Sequence, residues 1–338
     1  MASHSDKAVY TALVANSLVT IAKFLAFAKT GSATMLSEAI HSAADVGNQS
    51  LLALGIKRSR AEATPEHPYG YSRERFIWAL ISAVGIFFLG CGFTLYHGVT
   101  ELLAVHGGHA AHSEDLSPTI LGAVLLFAFL IEGWALLVAV KAVNHARGDV
   151  PLLKHLKQSS DPMVAAVLLE DSVALLGVLV AAICIGLSIF IHPIFDPIGS
   201  IVIGTMLGVM AILLVNRNRE LLLGEAPQPE VIDRIAEVLQ QQPEVEAIHD
   251  VKAEVLGGGL IRFKAEIDFD AVAITERELT EVDLDALFAT IHSAEDLRRA
   301  LAEFGAHMVD AVGDAVDRIE GEAESAVPEL AHVDLEAD

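Results

Sequence analysis

Six long apolar stretches, separated by short polar segments, occupy the first two thirds of the chain. Each approaches or exceeds the ~20 residues that an α-helix needs to cross ~30 Å of hydrocarbon. Because lipid offers no hydrogen-bond partners to the backbone, these stretches predict membrane-spanning helices. The predicted spans are Val9–Ala28, Ala33–Ile56, Ile77–Leu103, Pro118–Val143, Met163–Ile191 and Ile198–Val215.

Basic residues are concentrated in alternate loops, and this asymmetry predicts the orientation in the membrane. The loops after the first, third and fifth predicted spans contain a single basic residue, Lys29. The positive-inside rule therefore predicts that both termini are cytosolic, in the inner (cell) membrane if the source is a prokaryote. The basic residues on the predicted cytosolic side are Lys57, Arg58, Arg60, Arg73, Arg75, Arg147, Lys154, Lys157, Arg217 and Arg219.

The apolar pattern ends near Gly224, and a second region with a different pattern follows. We therefore predict a six-helix transmembrane domain over 1–224 and a cytosolic α/β domain over 225–338. The order of elements is α-β-β-α-β, with an acidic insertion at about 271–291. Its predicted helices and strands are Pro229–Gln241, Ile248–Val255, Leu260–Phe269, Ala294–Glu324 and Ala331–Leu335.

Net charge separates the two regions further. Residues 1–224 carry 16 acidic and 14 basic side chains, whereas residues 225–338 carry 29 and 8, so nearly all of the net charge of −23 lies in the second region. Such an acidic surface repels nucleic acid and anionic lipid headgroups. The sequence also contains neither HExxH nor GxSxG, so it predicts neither an enzyme nor an organic cofactor.

Polar residues inside the second and fifth predicted spans are the main functional signal. Glu38, His41, Asp45 and Asn48 follow one another at steps of three, four and three, which places them on one helix face. An ionisable group at the membrane centre costs ~2.5–3.5 kcal/mol on insertion scales, so it usually has a function. His41 and Asp45, one turn apart, are suited to hold one metal ion.

The fifth predicted span carries adjacent carboxylates that could complete such a site. Glu170 and Asp171 would supply the remaining ligands of a four-coordinate Zn²⁺ site if spans two and five are in contact. Two alternatives remain: His41 and Asp45 could only link helices by a hydrogen bond, or they could relay protons without a metal. Because ligands must lose protons to bind a metal, a metal site here predicts competition between metal and protons.

Several segments together resemble one transporter family. They are LSEAIHSAADVGNQSLLALG at Leu36–Gly55, HPYGYSRERF at His67–Phe76, LLEDSVALLGVL at Leu168–Leu179 and the ending VDRIEGEAESAVPELAHVDLEAD. The chain resembles the cation diffusion facilitator family and is most similar to its zinc transporter 9 branch. The resemblance implies a homodimeric exporter of divalent metal, most commonly Zn²⁺, by alternating-access proton antiport. Mn²⁺, Co²⁺ or Fe²⁺ are alternative cargoes, and a membrane-anchored metal sensor without transport is the alternative function.

The resemblance also implies particular site residues. The family's transport site corresponds to His41, Asp45 and Asp171. Many members have a further His or Asp ligand four residues before the span-five aspartate, but this chain has Val167 there, so Glu170 is the candidate replacement. Asn48 and Asn16 are candidate donors behind the ligands, and Glu132 and Asp196 are interpreted as helix-contact or interfacial residues.

The second region resembles the family's metallochaperone-like domain, which has a ferredoxin-like fold and dimerises. The matching positions of a regulatory metal site are His249, Glu266, His332 and Asp334. Glu266 replaces a frequent histidine, so surface residues on a packed sandwich are the alternative interpretation of this set.

Overall fold

The chain divides into two structural units, Met1–Leu223 and Gly224–Asp338, which are described separately. The structure, a computed structural model, describes the backbone of residues 2–107, 118–147 and 162–337. Side chains are described for residues 16–107, 118–141, 143–144 and 168–337. Val167 therefore lies in a described helix, but its side chain is outside the described set.

In the described part of the first unit there are helices α1 to α6, and each corresponds to one predicted span. They are α1 (Ala2–Thr30), α2 (Ala33–Arg58), α3 (Glu74–His106), α4 (Pro118–Arg147), α5 (Pro162–Phe190) and α6 (Phe195–Leu222). Within α3, residues Ile86–Gly92 form a π-helical stretch. In the described part of the chain, the four helices α3 to α6 are long and apolar enough to cross a membrane.

The first two helices differ from these four for different reasons. The side chains of α1 are described only from Asn16 onward, so the described part of this helix has fewer residues than a membrane span needs. Helix α2 has the length of a span, but its residues include Glu38, His41 and Asp45. Polar residues at the centre of a span are tolerated when they face other helices, and Glu38 and His41 are both buried. The predicted multi-pass helical fold is confirmed.

Helix α2 occupies the centre of the first unit and packs against α1, α3, α5 and α6. Helix α4 completes the bundle through its contacts with α1 and α5. Met35 on α2, Val178 on α5 and Ile203 on α6 belong to one buried apolar cluster. This packing places the polar face of α2 against neighbouring helices, where its side chains meet residues from α1 and α5.

The second unit is a three-stranded sheet covered by helices. Its elements are α7 (Pro229–Gln240), β1 (Val245–Gly257), β2 (Leu260–Phe269), α8 (Ala271–Glu281), α9 (Leu284–Thr290), α10 (Ala294–Ala326) and β3 (Leu330–Ala337). The strand order is β1-β2-β3, with β1 antiparallel and β3 parallel to β2. This arrangement confirms the predicted α-β-β-α-β order, and the acidic insertion forms α8 and α9.

The sheet of the second unit is held by an apolar core and a glycine turn. Phe263 and Ile267 on β2 pack with Leu239 on α7 and Ile319 on α10. Gly258 and Gly259, between β1 and β2, have φ angles of 69° and 80°. These left-handed conformations are accessible to glycine without steric cost, so the turn joins the two antiparallel strands tightly.

Candidate metal transport site

His41 and Asp45 lie one turn apart on α2, as the spacing predicted. The distance from Nε2 of His41 to Oδ2 of Asp45 is 3.5 Å, which is longer than a good hydrogen bond. His41 is 1% exposed, and both of its ring nitrogens are buried without a hydrogen-bond partner among the described residues. A buried polar atom without a partner is costly. The unpaired ring nitrogens are therefore available to a ligand.

Three predicted carboxylates meet at one cavity between the helices. Asp45 from α2 and both Glu170 and Asp171 from α5 line this space, whose volume is about 20 Å³. Such a volume holds about one water-sized body. Although adjacent helix residues point ~100° apart, both α5 carboxylates reach the cavity. The other lining residues are Asn16, Val19, Ser42, Gln49, Glu132, Ala135 and Ala174.

Glu170 is held in place from the opposite helix. The side-chain amide of Asn48 on α2 donates a 2.7 Å hydrogen bond to Oε1 of Glu170 on α5. Asn48 is itself buried, so this contact fixes one oxygen of a carboxylate that lines the cavity. Asn16, the second predicted donor, lines the same cavity from α1.

The carboxylates surround the cavity without converging on one point. In the described ranges, no group of three or more His, Cys, Asp or Glu residues is close enough to hold a metal ion together. The structure thus brings Asp45, Glu170 and Asp171 to one space, whereas His41 lies 3.5 Å from Asp45 and is not among the residues that line the cavity. The complete ligand set stays a prediction.

Gly177 of α5 allows the polar face of α2 to approach. A Cβ atom at this position would lie 2.7 Å from Oε1 of Glu38 and 3.5 Å from Nδ1 of His41. The first distance is shorter than van der Waals contact, so any larger residue displaces Glu38. The glycine therefore lets Glu38 and His41 pack directly against the fifth span.

Lys23 of α1 is a buried cation that sequence reasoning missed. Its ammonium group donates 2.8 Å hydrogen bonds to Oε2 of Glu38, Oγ of Ser42 and Oε1 of Glu132. Lys23 is 1% exposed, and the three bonds use all of its donors. A lone lysine within the apolar stretch Val9–Ala28 was the signal that could have found it.

Asp196 at the start of α6 caps the first turn of α2. Its carboxylate accepts hydrogen bonds from Oγ of Ser32 at 2.6 Å and from the backbone N–H of Ala33 at 2.6 Å and Thr34 at 3.2 Å. A negative charge is favourable at a helix N-terminus, where N–H groups have no partner within the helix. The sequence interpretation of Asp196 as a helix-contact residue agrees with these bonds.

The four predicted metal ligands of the second unit lie at two places. His249 on β1 is opposite Glu266 on β2, and its Nε2 is 3.0 Å from Oδ2 of Asp268. On β3, however, His332 is opposite Arg262, whereas the residue opposite Glu266 is Glu336. Arg262 and Glu266 are four positions apart on β2, which corresponds to ~13 Å, so His332 lies far along the sheet from Glu266. Asp334, close to His332, pairs with Arg262 at 3.1 Å, and a metal site in this unit stays a prediction.

Comparison with known proteins identifies the family. Residues 9–223 match the family described as "Cation efflux transmembrane domain". The human protein "Proton-coupled zinc antiporter SLC30A9, mitochondrial" is 43% identical over 98% of this chain and 58% of its own length. "Metal tolerance protein C4" of Arabidopsis thaliana is 38% identical over 99% of this chain and 74% of its own length. "Uncharacterized transporter MJ0449" of Methanocaldococcus jannaschii is 24% identical over 87% of this chain and 96% of its own length.

These matches cover both units of the chain, although the chain spans only 58% of the length of the human relative. The family match extends from α1 to the end of α6 and so includes every residue that lines the cavity. The chain therefore belongs to the cation efflux family, also called the cation diffusion facilitator family.

Proposed function

We propose that this chain exports Zn²⁺, or a similar divalent cation, across a membrane in exchange for protons. The observation that carries the proposal is the cavity at which Asp45, Glu170 and Asp171 lie together within the region shared with the cation efflux family. Relatives that match nearly the whole chain are named proton-coupled zinc antiporters, which supports both the cargo and the coupling.

In this proposal each side chain of the site has a separate role. Asp45 and Asp171 supply negative charge, and His41 supplies a nitrogen ligand one turn from Asp45. Glu170 supplies the ligand that Val167 cannot provide, and its hydrogen bond from Asn48 orients it. Mixed nitrogen and oxygen ligands suit Zn²⁺, while a carboxylate-rich set also admits Mn²⁺, Co²⁺ or Fe²⁺.

Coupling to protons follows from the chemistry of these ligands. Imidazole and carboxylate groups bind a metal only in their deprotonated forms, so metal and protons compete for the same atoms. If the cavity opens alternately to the two sides, protons that enter from outside displace the metal there. Metal leaves, and the protonated site returns to the inner side, where it releases its protons and then loads metal.

The proposal includes an orientation and an oligomeric state. Both termini face the cytosol, because the loops on that side, such as the one after α2 with Arg60, carry most of the basic residues. Two copies form a homodimer within the lipid bilayer, as the family resemblance implies. Labelling of an introduced cysteine by a membrane-impermeant reagent tests the orientation.

Flux measurement in liposomes tests the proposed function. Purified full-length protein is reconstituted, and uptake of Zn²⁺, Mn²⁺, Co²⁺ and Fe²⁺ is recorded with and without a pH gradient. We expect Zn²⁺ uptake to increase when the pH gradient drives protons out of the liposome. We expect it to be lost in Asp45→Ala. Glu220→Gln is the matched control, because this carboxylate is exposed at the end of α6 and faces Arg217.

The same experiment separates the proposed function from its alternatives. Metal binding by the wild-type protein without any flux would make it a membrane-anchored metal sensor. Flux that is independent of pH would indicate a passive channel. Wild-type flux in Asp45→Ala would show that the cavity is not the transport site.

A further inference from the structure

Lys23 places a fixed positive charge directly behind a cavity that is proposed to bind a cation. It does not line the cavity itself, but two of its three partners, Ser42 and Glu132, do. Its third partner, Glu38, is not among the lining residues. The lysine is thus one layer behind the cavity wall and reaches it through Glu132.

The charges around this cavity are unbalanced. Among the described residues, the lining contains four carboxylates and neither lysine nor arginine. The carboxylates are Asp45, Glu132, Glu170 and Asp171. Lys23 forms an ion pair with one of them, Glu132, at 2.8 Å.

The bonds of Lys23 leave part of each glutamate uncompensated. The lysine binds Oε2 of Glu38 and Oε1 of Glu132. The remaining oxygens, Oε1 of Glu38 and Oε2 of Glu132, are buried without a hydrogen-bond partner among the described residues. An ion cluster that only linked helices would be expected to satisfy its buried polar atoms. Glu132 therefore keeps one free oxygen in a residue that lines the cavity.

A buried lysine at this position also opposes the binding of a cation. Charges interact more strongly in the interior than in water, because the effective dielectric constant is lower. The ammonium group raises the free energy of a cation in the cavity, and the paired carboxylate Glu132 offsets part of this repulsion. The balance of the two charges thus controls how tightly the cavity holds its cargo.

We propose that the fixed positive charge of Lys23, opposed by the negative charge of its partner Glu132, sets the affinity of the cavity for a divalent cation. The proposal rests on the proposed function, because it assumes that the cavity holds the cargo. Lys23 keeps the affinity low enough for release. Glu132, through its free oxygen, adds attraction for the metal beside Asp45 and Asp171.

Equilibrium binding of Zn²⁺ by the purified full-length chain tests the proposal without requiring transport. Removal of the fixed cation in Lys23→Met should lower the dissociation constant about tenfold, and Glu132→Gln should raise it about tenfold. In liposomes, Lys23→Met should lower both the KM and the maximal rate, because a tighter site releases metal more slowly. Lys23→Arg, which keeps the charge, should bind as the wild type does.

Two double variants with the same net charge give the sharpest comparison. Lys23→Met with Glu132→Gln removes one charge of each sign at the cavity wall, so the dissociation constant should return to within about threefold of wild type. Lys23→Met with Glu38→Gln leaves Glu132 unpaired at the cavity, so its binding should stay tight. If Lys23→Met alone does not fold, the first double variant is compared with Glu132→Gln and should bind about tenfold more tightly.

Each outcome of this comparison decides the proposal. Equal dissociation constants in the two double variants, or an unchanged constant in Lys23→Met, would show that Lys23 only links the helices. Shifted binding in a protein without flux would support the role of Lys23 and contradict the transport function. Normal flux with unshifted binding would support the transport function and contradict the role of Lys23.

Discussion

At the scale of single residues, helical spacing predicted a polar face on α2. The steps of three, four and three place Glu38, His41, Asp45 and Asn48 on this face. Of these four residues Asp45 lines the cavity, whereas the other three are not among the lining residues. Asn48 donates a hydrogen bond to Glu170 on α5. Spacing along one helix carries no information about contacts between helices. The partners of Lys23 are 15, 19 and 109 residues away in sequence, and only the packed bundle brings them together.

Substitution of Gly177 tests the close contact between α2 and α5. In Gly177→Ala the new Cβ lies within 2.7 Å of Oε1 of Glu38, whose other oxygen is held by Lys23. We expect the displaced glutamate to separate the helices and to reduce Zn²⁺ flux by about tenfold, in line with the cost of overpacking. Zinc uptake by liposomes measures the change.

Gly186→Ala is the control for this substitution. It lies on the same helix, and nothing would be within 4 Å of its new Cβ. Its flux should equal that of wild type. Equal losses in both variants would mean that helix α5 tolerates no added volume anywhere, and the specific contact with Glu38 would not be supported.

Loss of the Asn48 side chain tests the orientation of Glu170. Asn48→Ala removes the 2.7 Å hydrogen bond to Oε1 of Glu170. Because partners behind a ligand typically change metal affinity by 10- to 100-fold, we expect Zn²⁺ binding to weaken by about tenfold. Isothermal titration calorimetry of the purified protein measures the dissociation constant for Zn²⁺. The control is Asn218→Ala, at a buried asparagine whose side chain donates to the backbone oxygen of Leu214 in its own helix. It should bind normally, and a similar loss there would contradict the role assigned to Asn48.

At the scale of elements, the sequence located the described helices and strands outside the insertion, but not every boundary. The predicted β2, Leu260–Phe269, agrees with the structure, whereas β1 extends from Val245 to Gly257 instead of Ile248–Val255. The insertion, which is rich in Glu and Asp, was left without assigned structure. Its helix starts were nevertheless visible as aspartates: Asp270 caps α8 and Asp283 caps α9 through their side chains.

The cap on α2 predicts where the first unit loosens first. Asp196→Ala removes three hydrogen bonds to the first turn of α2, and charged hydrogen bonds contribute about 1.5–3 kcal/mol each. Hydrogen exchange in detergent should accelerate at Ala33 and Thr34. Asp285→Ala, an exposed aspartate in the first turn of α9, should leave α2 unchanged; unaltered exchange in Asp196→Ala would show that the cap is dispensable.

Two glutamates of α10 should respond to pH in opposite directions. Burial, with smaller effects of nearby acidic residues, raises the pKa of Glu320 above its ordinary 4.5, even though the N–H of Leu335 donates to it. Hydrogen bonds from Arg318 and Gln242 lower the pKa of Glu322. A raised pKa means that the folded state prefers the protonated form, so stability is full below about pH 4.5 and declines as pH rises.

Neutral substitutions measure this difference. At pH 7.5 Glu320→Gln should slow hydrogen exchange in α10 and β3, and the gain should vanish near pH 4, where the wild-type residue is protonated too. Glu322→Gln should accelerate exchange at pH 7.5, because a carboxylate with a lowered pKa contributes stability above its unfolded pKa. A change of hydrogen exchange in the same direction in both variants would contradict the opposite pKa shifts of Glu320 and Glu322.

At the scale of the whole molecule, the division of charge matches the division of structure. The first unit ends at Leu223, one residue before the predicted boundary, and net charge changes from −2 to −21 at that boundary. Membrane insertion requires few charges, so those present in α2 and α5 are informative. The acidic second unit carries no such constraint, so residue type alone says little about whether its acidic residues and histidines bind a metal.

The central claim is that one cavity between α2 and α5 binds metal and protons alternately. Liposomes that contain the wild-type protein and a trapped pH indicator test it most directly when Zn²⁺ is added outside. We predict that every uptake of Zn²⁺ is accompanied by alkalinisation inside, and that Asp171→Asn abolishes both signals together. Zinc uptake that leaves the internal pH unchanged, or that persists in Asp171→Asn, would contradict the account.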